Sequence, residues 1–186
     1  MLRIIAGEWR GRKLKAPVGD TTRPTADRTR ETLFSMLTSR LGSFEELSVL
    51  DLFAGSGALG IEALSRGAAR CVFVEQDRPA IDTLRANIRS LEADARAEIR
   101  PSSALSLGPA LKPFDVVLID PPYGTGAGAV ALDKLKRLGW FAPSTWISVE
   151  TAKSETLEVE GFDIDAERVV GKARLTLLRL AGDVID

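Results

Sequence analysis

The chain of 186 residues contains no histidine and a single cysteine, Cys71. Without histidine there is no imidazole to act as base in a Ser–His–Asp or Cys–His relay. With one thiol there is no internal disulfide, and the His and Cys ligands of a zinc site are missing, so no metal is expected. Cys71 stands in the apolar run Cys71-Val72-Phe73-Val74, where a thiol reads as a small buried hydrophobe and not as a nucleophile. No apolar run approaches the ~20 residues that cross a bilayer, so no membrane partner is expected. The start, Met1-Leu2-Arg3-Ile4-Ile5, lacks the apolar core of a secretory signal, and the expected location is the cytoplasm.

An excess of either charge is also lacking, since the net charge is -1. The balance hides an asymmetry. Residues 1–40 carry 9 Lys and Arg against 4 Asp and Glu, which leaves 16 basic and 22 acidic residues for the remainder. A basic arm on an acidic body points to a polyanionic partner for the arm. Within it, residues 3–16 alternate loosely around Gly7 and Gly11, as in a small hairpin. Its cations bracket Trp9, an arrangement that suits phosphate contact with base stacking, or equally an indole that covers the hairpin's own core. A helix is expected after Pro24, with Thr25 as N-cap and Leu33, Phe34 and Leu37 on one face.

From residue 48 the chain alternates strand and helix. Apolar runs predict strands at 48–53, 70–75, 97–100, 116–119 and 145–149. Helices are expected at 57–66, through Ile81, Leu84, Ile88 and Leu91, at 104–111, and at 129–138. Two last strands, 162–169 and 173–180, meet at Gly171. Such a pattern predicts an α/β fold: an open, mostly parallel sheet closed by an antiparallel hairpin, with ligands at the carboxyl ends of its strands. Residues 1–40 read as an extension and 41–186 as the main domain.

Two strand ends carry chemistry. Asp120-Pro121-Pro122-Tyr123 follows the run Val116 to Ile119. A carboxylate, two carbonyls without neighbouring N–H groups and a flat ring form a rigid acceptor cluster, suited to a planar amine such as a nucleobase. The first strand of the main domain ends in Asp51-Leu52-Phe53-Ala54-Gly55-Ser56-Gly57-Ala58-Leu59-Gly60. Gly55, Gly57 and Gly60 satisfy G-x-G-x-x-G, with Glu75 twenty residues after Gly55. A dinucleotide site would fit that spacing alone. Asp51, however, would repel a pyrophosphate and attract an ammonium, and Glu75 suits a ribose diol. An amino-acid ammonium together with a ribose describes S-adenosylmethionine. Ser103 and Ala104, ending the third strand, would lie near its adenine.

These motifs resemble those of Rossmann-fold, class I amino-methyltransferases that use S-adenosylmethionine. More narrowly, Arg3 to Leu14, Arg23 to Phe34 and Asp51 to Gly67 are similar to segments of the RsmD family, which methylates the exocyclic N2 of guanine 966 in bacterial 16S ribosomal RNA. The resemblance covers nearly the whole chain and is most specific in its N-terminal part. It implies a seven-stranded sheet and a monomer that acts on 16S RNA within an assembled small subunit. It implies cofactor contacts from Asp51, Phe53, Ala54, Gly55, Ser56, Gly57, Gly60, Glu75, Gln76, Ser103 and Ala104. Catalysis would fall to Asp120, Pro121, Pro122 and Tyr123, and RNA contact to Arg3, Trp9, Arg10, Arg12, Lys13, Arg23, Thr25 and Arg28. Ser103 departs from the acid or amide that many relatives place there. By the residues alone, adenine N6 is as good a target as guanine N2 for Asp120 to Tyr123. A nicotinamide dehydrogenase and a non-catalytic RNA-binding module are disfavoured by Asp51 and by the intact acceptor cluster.

Overall fold

The structure, a computed structural model, describes residues 1–18 and 24–182. A two-stranded hairpin, β1 (Leu2–Arg3) and β2 (Lys13–Leu14), precedes helix α1 (Pro24–Leu41). The main domain then runs β3 (Ser48–Leu52), α2 (Ala58–Ser65), β4 (Arg70–Glu75), α3 (Arg78–Ser90), β5 (Ala97–Pro101), β6 (Phe114–Ile119), α4 (Ala127–Arg137), β7 (Phe141–Ala152), β8 (Phe162–Val170) and β9 (Ala173–Leu180). Seven strands form one sheet in the order β5-β4-β3-β6-β7-β9-β8. The first five in that order are parallel, and β9 pairs antiparallel with both β7 and β8. The chain order reverses between β3 and β6, which opens a crevice at their carboxyl ends.

Three expectations need correction. Thr25 does not precede α1 but lies inside it, because the helix begins at Pro24, whose fixed φ suits a first turn. The expected helix 104–111 is one 3-10 turn, Ala104–Ser106, since Gly108 and Pro109 follow at once. Strand β7 is longer than the apolar run 145–149 because its amino end continues along Phe141 and its carboxyl end pairs with β9 through Ala152.

Alternation along the strands sorts the core into two layers. Val49, Cys71, Phe73, Val116 and Leu118 pack beneath α1, α2, α3 and the hairpin. Leu50, Leu52, Val72, Val117, Ile119 and Val149 pack on the other side with Leu132 and Leu135 of α4. The same parity puts Asp51, Asp120 and Glu150 on the first face. Helix α3 starts at an Asp77 side chain that accepts the Ala80 N–H at 3.0 Å, and buries Ile81, Leu84 and Ile88 at helical spacing.

The arm is welded to this body. Glu62 of α2 is 1% exposed, and its carboxylate accepts the Ile5 N–H at 2.8 Å and the Ala6 N–H at 3.1 Å. It pairs with Arg66 at 3.0 Å and Arg30 at 3.6 Å. Burial pushes the Arg30 guanidinium down, and the carboxylates of Glu62 and Asp27 oppose that shift. A Cβ on Gly7 would sit 1.9 Å from the Ser65 carbonyl oxygen, so only glycine lets the arm lie flush on α2. Trp9 is buried, with its backbone N–H on the Ser65 hydroxyl at 3.0 Å and the Arg96 guanidinium 5.3 Å from its ring centroid. Leu2, Ile4 and Leu14 are buried as well, each side chain contributing about 1.5–3 kcal/mol.

Candidate active site

At the carboxyl end of β3 the backbone turns sharply. Phe53 holds φ 58°, a left-handed conformation that costs a non-glycine residue about 1–3 kcal/mol, and Gly55 follows at φ 56°. The three motif glycines do different things. A side chain on Gly55 would meet nothing within 4 Å, so this part of the loop backbone faces open space where a ligand can approach. A Cβ on Gly57 would lie 2.3 Å from Leu84 Cδ1, and one on Gly60 would lie 2.4 Å from the Phe73 ring. Gly57 and Gly60 therefore keep α2 close to α3 and β4 and do not line a cavity.

Two carboxylates hold the loop in this shape. Asp51, 1% exposed, accepts the Gly60 N–H at 2.9 Å. Its burial pushes it up to about 8; the Gly60 N–H opposes this and the Glu75 charge adds to it. Glu75 accepts the Gly55 N–H at 2.8 Å through one oxygen, and the N–H groups of Gln76 and Asp77 at 3.0 and 2.9 Å through the other.

Two cavities flank the loop and meet at Phe53, Asp120 and Tyr123. One, of about 510 Å³, is lined by Glu75, Gln76, Asp77, Ser102, Ala104, Pro121 and Pro122. The other, of about 770 Å³, takes in Asp51, Ala54, Gly55, Ser56 and Glu150, and opens between Ala16, Pro17, Ala26 and Arg30 on one rim and Gly171 and Lys172 on the other. Ser103 lines neither. Its hydroxyl caps the 3-10 turn by accepting the Leu105 N–H at 3.2 Å, while its neighbour Ser102 lines the smaller cavity. At this strand end the smaller cavity is lined by Ser102 and Ala104, not by Ser103.

The acceptor cluster is less symmetric than its sequence. The Pro122 carbonyl accepts the Thr125 hydroxyl at 2.8 Å, whereas the Pro121 carbonyl accepts no hydrogen bond among the described residues. Tyr123 is 48% exposed and donates its hydroxyl to Glu150 Oε1 at 2.6 Å. Burial and Glu150 together push the phenol upward. Asp120 is raised well above the carboxylate range by burial, then by the charges of Glu150 and Asp51, and Glu150 is raised by its own burial. Gly124 donates its N–H to Glu155, whose second oxygen accepts the Ala152 N–H at 2.6 Å, so the glycine-rich loop after Tyr123 is tied to the end of β7.

Glu150 went unnoticed in the sequence, although it follows the apolar run Trp146 to Val149 as Asp120 follows Val116 to Ile119. Of the expected RNA contacts, Arg3, Arg10, Arg12, Lys13 and Arg28 are exposed, and Arg23 lies outside the described residues. Trp9 is the exception: an indole packed beneath Arg96 has no face free for a base, so its expected stacking role is withdrawn. The arm nonetheless reaches the glycine loop after β3 through Asn87. This buried side chain exchanges hydrogen bonds with the Lys15 backbone at 2.8 and 3.0 Å and donates to the Ser56 carbonyl at 3.0 Å.

The profile of the family described as "Conserved hypothetical protein 95" matches residues 2–179. Ribosomal RNA small subunit methyltransferase D of Escherichia coli K12 is 38% identical over 179 residues, covering 95% of this chain and 88% of its own. The protein of the same name from Haemophilus influenzae is 41% identical over 175 residues, with 91% and 89% covered. The chain belongs to this methyltransferase family. A solved structure described as a putative methyltransferase from Escherichia coli superposes with a TM-score of 0.84 at 38% identity, covering 96% of this chain and 97% of that one. The magnesium protoporphyrin IX methyltransferase of Synechocystis, solved with S-adenosylmethionine bound, shares the fold at a TM-score of 0.68 and 16% identity, covering 88% and 87%. The family member described here thus has the class I methyltransferase architecture, with its sheet reversal at Asp51 and Asp120. No helix among its described residues is long and apolar enough to cross a membrane.

Proposed function

We propose that the protein transfers a methyl group from S-adenosylmethionine to the exocyclic N2 amine of a guanine in 16S ribosomal RNA, a site of the guanine 966 type, within an assembled small subunit in the cytoplasm. The observation that carries this reading is the junction of two cavities at Asp120. One cavity has the donor set for a nucleoside: the Glu75 carboxylate for a ribose diol, with Gln76, Ser102 and Ala104 around a planar ring. The other has Asp51 and the open Gly55 backbone for the amino-acid part, and beyond them room for a base. When bound, the cofactor supplies an activated methyl on a sulfonium.

The residues of this chain then do the orienting. An exocyclic amine is a poor nucleophile because its lone pair is delocalised into the ring. Hydrogen bonds from its two N–H groups to the Asp120 carboxylate and the Pro121 carbonyl favour the tetrahedral nitrogen of the transition state and stabilise the charge that develops there. Tyr123 stacks on the base and fixes its angle. Holding the amine in line supplies ~7–11 kcal/mol of the barrier. The target base leaves its stack to enter the larger cavity, whose rims are the arm and Lys172. Arg3, Arg10, Arg12, Lys13 and Arg28 contact the phosphates around it.

The test is Asp120→Ala, which should abolish most methyl transfer to small-subunit RNA while cofactor affinity by calorimetry stays close to that of the parent. Equal loss of both would remove Asp120 from catalysis. Side-by-side assay of 16S RNA and DNA with a labelled methyl donor, followed by mapping of the modified atom, separates guanine N2 from adenine N6.

A further inference from the structure

The acceptor cluster has a partner that the proposed reaction does not yet use. Ile119 and Val149 lie opposite each other on parallel β6 and β7, so the next residues, Asp120 and Glu150, stand side by side at the crevice. Alternation turns both toward the larger cavity, which both line. Glu150 also accepts the Tyr123 hydroxyl at 2.6 Å. One side chain therefore touches both the carboxylate and the ring assigned to the target base.

We propose that Glu150 is a positioning residue of methyl transfer, which holds one proton between its carboxyl and that of Asp120 while anchoring the Tyr123 hydroxyl. The proposal rests on the amine-methylating role given to Asp120 above. Two adjacent carboxylates in a poorly solvated crevice do not both ionise. The charged and titratable groups around them do not relieve this. Asp51 on β3 is a further acid, and any charge it carries is negative. Tyr123 gives a neutral hydroxyl, and Glu155 lies beyond it on Gly124. Arg30, on the cavity rim, is already paired with Glu62 and Asp27, which leaves Lys172 at the mouth. With the proton on Glu150, its O–H donates to Asp120, and Asp120 remains an anionic acceptor aimed at the amine. The other Glu150 oxygen keeps the Tyr123 ring at a fixed angle to the same amine.

The step balances. The amine lone pair forms the nitrogen–carbon bond as the sulfur–carbon bond breaks with its pair to sulfur. The nitrogen, now positive, gives a proton to Asp120, and the N–H pair returns to nitrogen. The carboxyl pair then holds two protons and releases one to solvent.

Glu150→Gln keeps both hydrogen bonds, amide N–H to Asp120 and amide oxygen to Tyr123, yet cannot ionise. It should retain kcat within about tenfold, the worth of one ordinary hydrogen bond. Glu150→Ala should lose about 100-fold in kcat, the cost of misplacing an attacking group, with cofactor affinity unchanged. Parent kcat should fall at alkaline pH as the shared proton leaves, and this limb should vanish in Glu150→Gln. Glutamine as inactive as alanine, or alanine as active as the parent, would overturn the proposal. A second readout needs no RNA: carboxyl carbon NMR of the free protein should show Asp120 and Glu150 titrating as a coupled pair in two steps. In Glu150→Gln, Asp120 should titrate in one step. Independent single steps in the parent would overturn the proposal, whereas coupled steps without transfer to small-subunit RNA would leave it standing and refute the RNA reading instead.

Discussion

Replacing Glu62 by alanine should detach the arm from the enzyme. The side chain is 1% exposed, accepts from the N–H groups of Ile5 and Ala6 and from Arg66 at 3.0 Å, and forms an ion pair with Arg30 at 3.6 Å. Arg30 is itself 5% exposed and would keep only Asp27, at 3.2 Å, as an anionic partner. Removing one member of a buried charge network costs about 3–5 kcal/mol, because the buried charge left behind loses compensation. Two backbone donors stripped of acceptors act in the same direction. For a chain of this size the loss corresponds to a fall in Tm of roughly 6–20 °C. Glutamine should fall between parent and alanine, since Ile5 and Ala6 each use a different carboxylate oxygen and an amide would turn its NH₂ toward one of them. Circular dichroism melting gives the stability, and limited trypsin digestion at Arg10, Arg12, Lys13 and Lys15 reports the arm. An alanine variant that melts within about 1 kcal/mol of the parent, with the arm as resistant to trypsin, would refute the reasoning.

Other outcomes follow from other sites. Gly60→Ala, whose Cβ would sit 2.4 Å from the Phe73 ring and 2.7 Å from Cys71 Sγ, should lose about 1–3 kcal/mol in urea unfolding. Asp51, pushed up to about 8, keeps in the folded state a proton that the unfolded chain releases near pH 4, so its contribution to stability declines as pH rises between those values. Asp51→Asn should flatten the fall in Tm of the ligand-free protein across that window, and an unchanged slope would contradict it. Neutralising Arg10, Arg12 and Lys13 together should lower the slope of log affinity against log salt for RNA by about 2–3, measured by filter binding.

The central strands β3, β4, β6 and β7 were legible because each carries an apolar run delimited by Gly, Pro or charge, and the reversal of the sheet follows from alternation with helices. The loop from Asp51 to Gly60 was legible as a loop, but its glycines looked alike. Only packing separates Gly55, which faces open space, from Gly60, which faces an aromatic ring. Trp9 illustrates the limit from the other side. An indole among arginines fits a nucleic-acid surface or a small core equally well, and contacts with Ser65 and Arg96, distant in sequence, decide between them. Ser102 and Ser103 differ by which way one strand end turns. Glu150 could have been found from the sequence, by asking which acid follows the neighbouring parallel strand at the level of Asp120. Glu62 could not, because its partners other than Arg66 come from the arm and from α1, which only the fold brings to α2.

The flush seating of the arm changes what truncation would mean. With Gly7 against the Ser65 carbonyl and Trp9, Ile4 and Leu2 filling the surface of α2, the first seventeen residues work as a gasket over the hydrophobic core. A chain starting after Pro17 would not be a smaller catalyst lacking one handle for RNA. It would carry a newly bared apolar face beside the glycine loop after β3, with Asn87 stripped of its Lys15 partner, and gel filtration should show it self-associating.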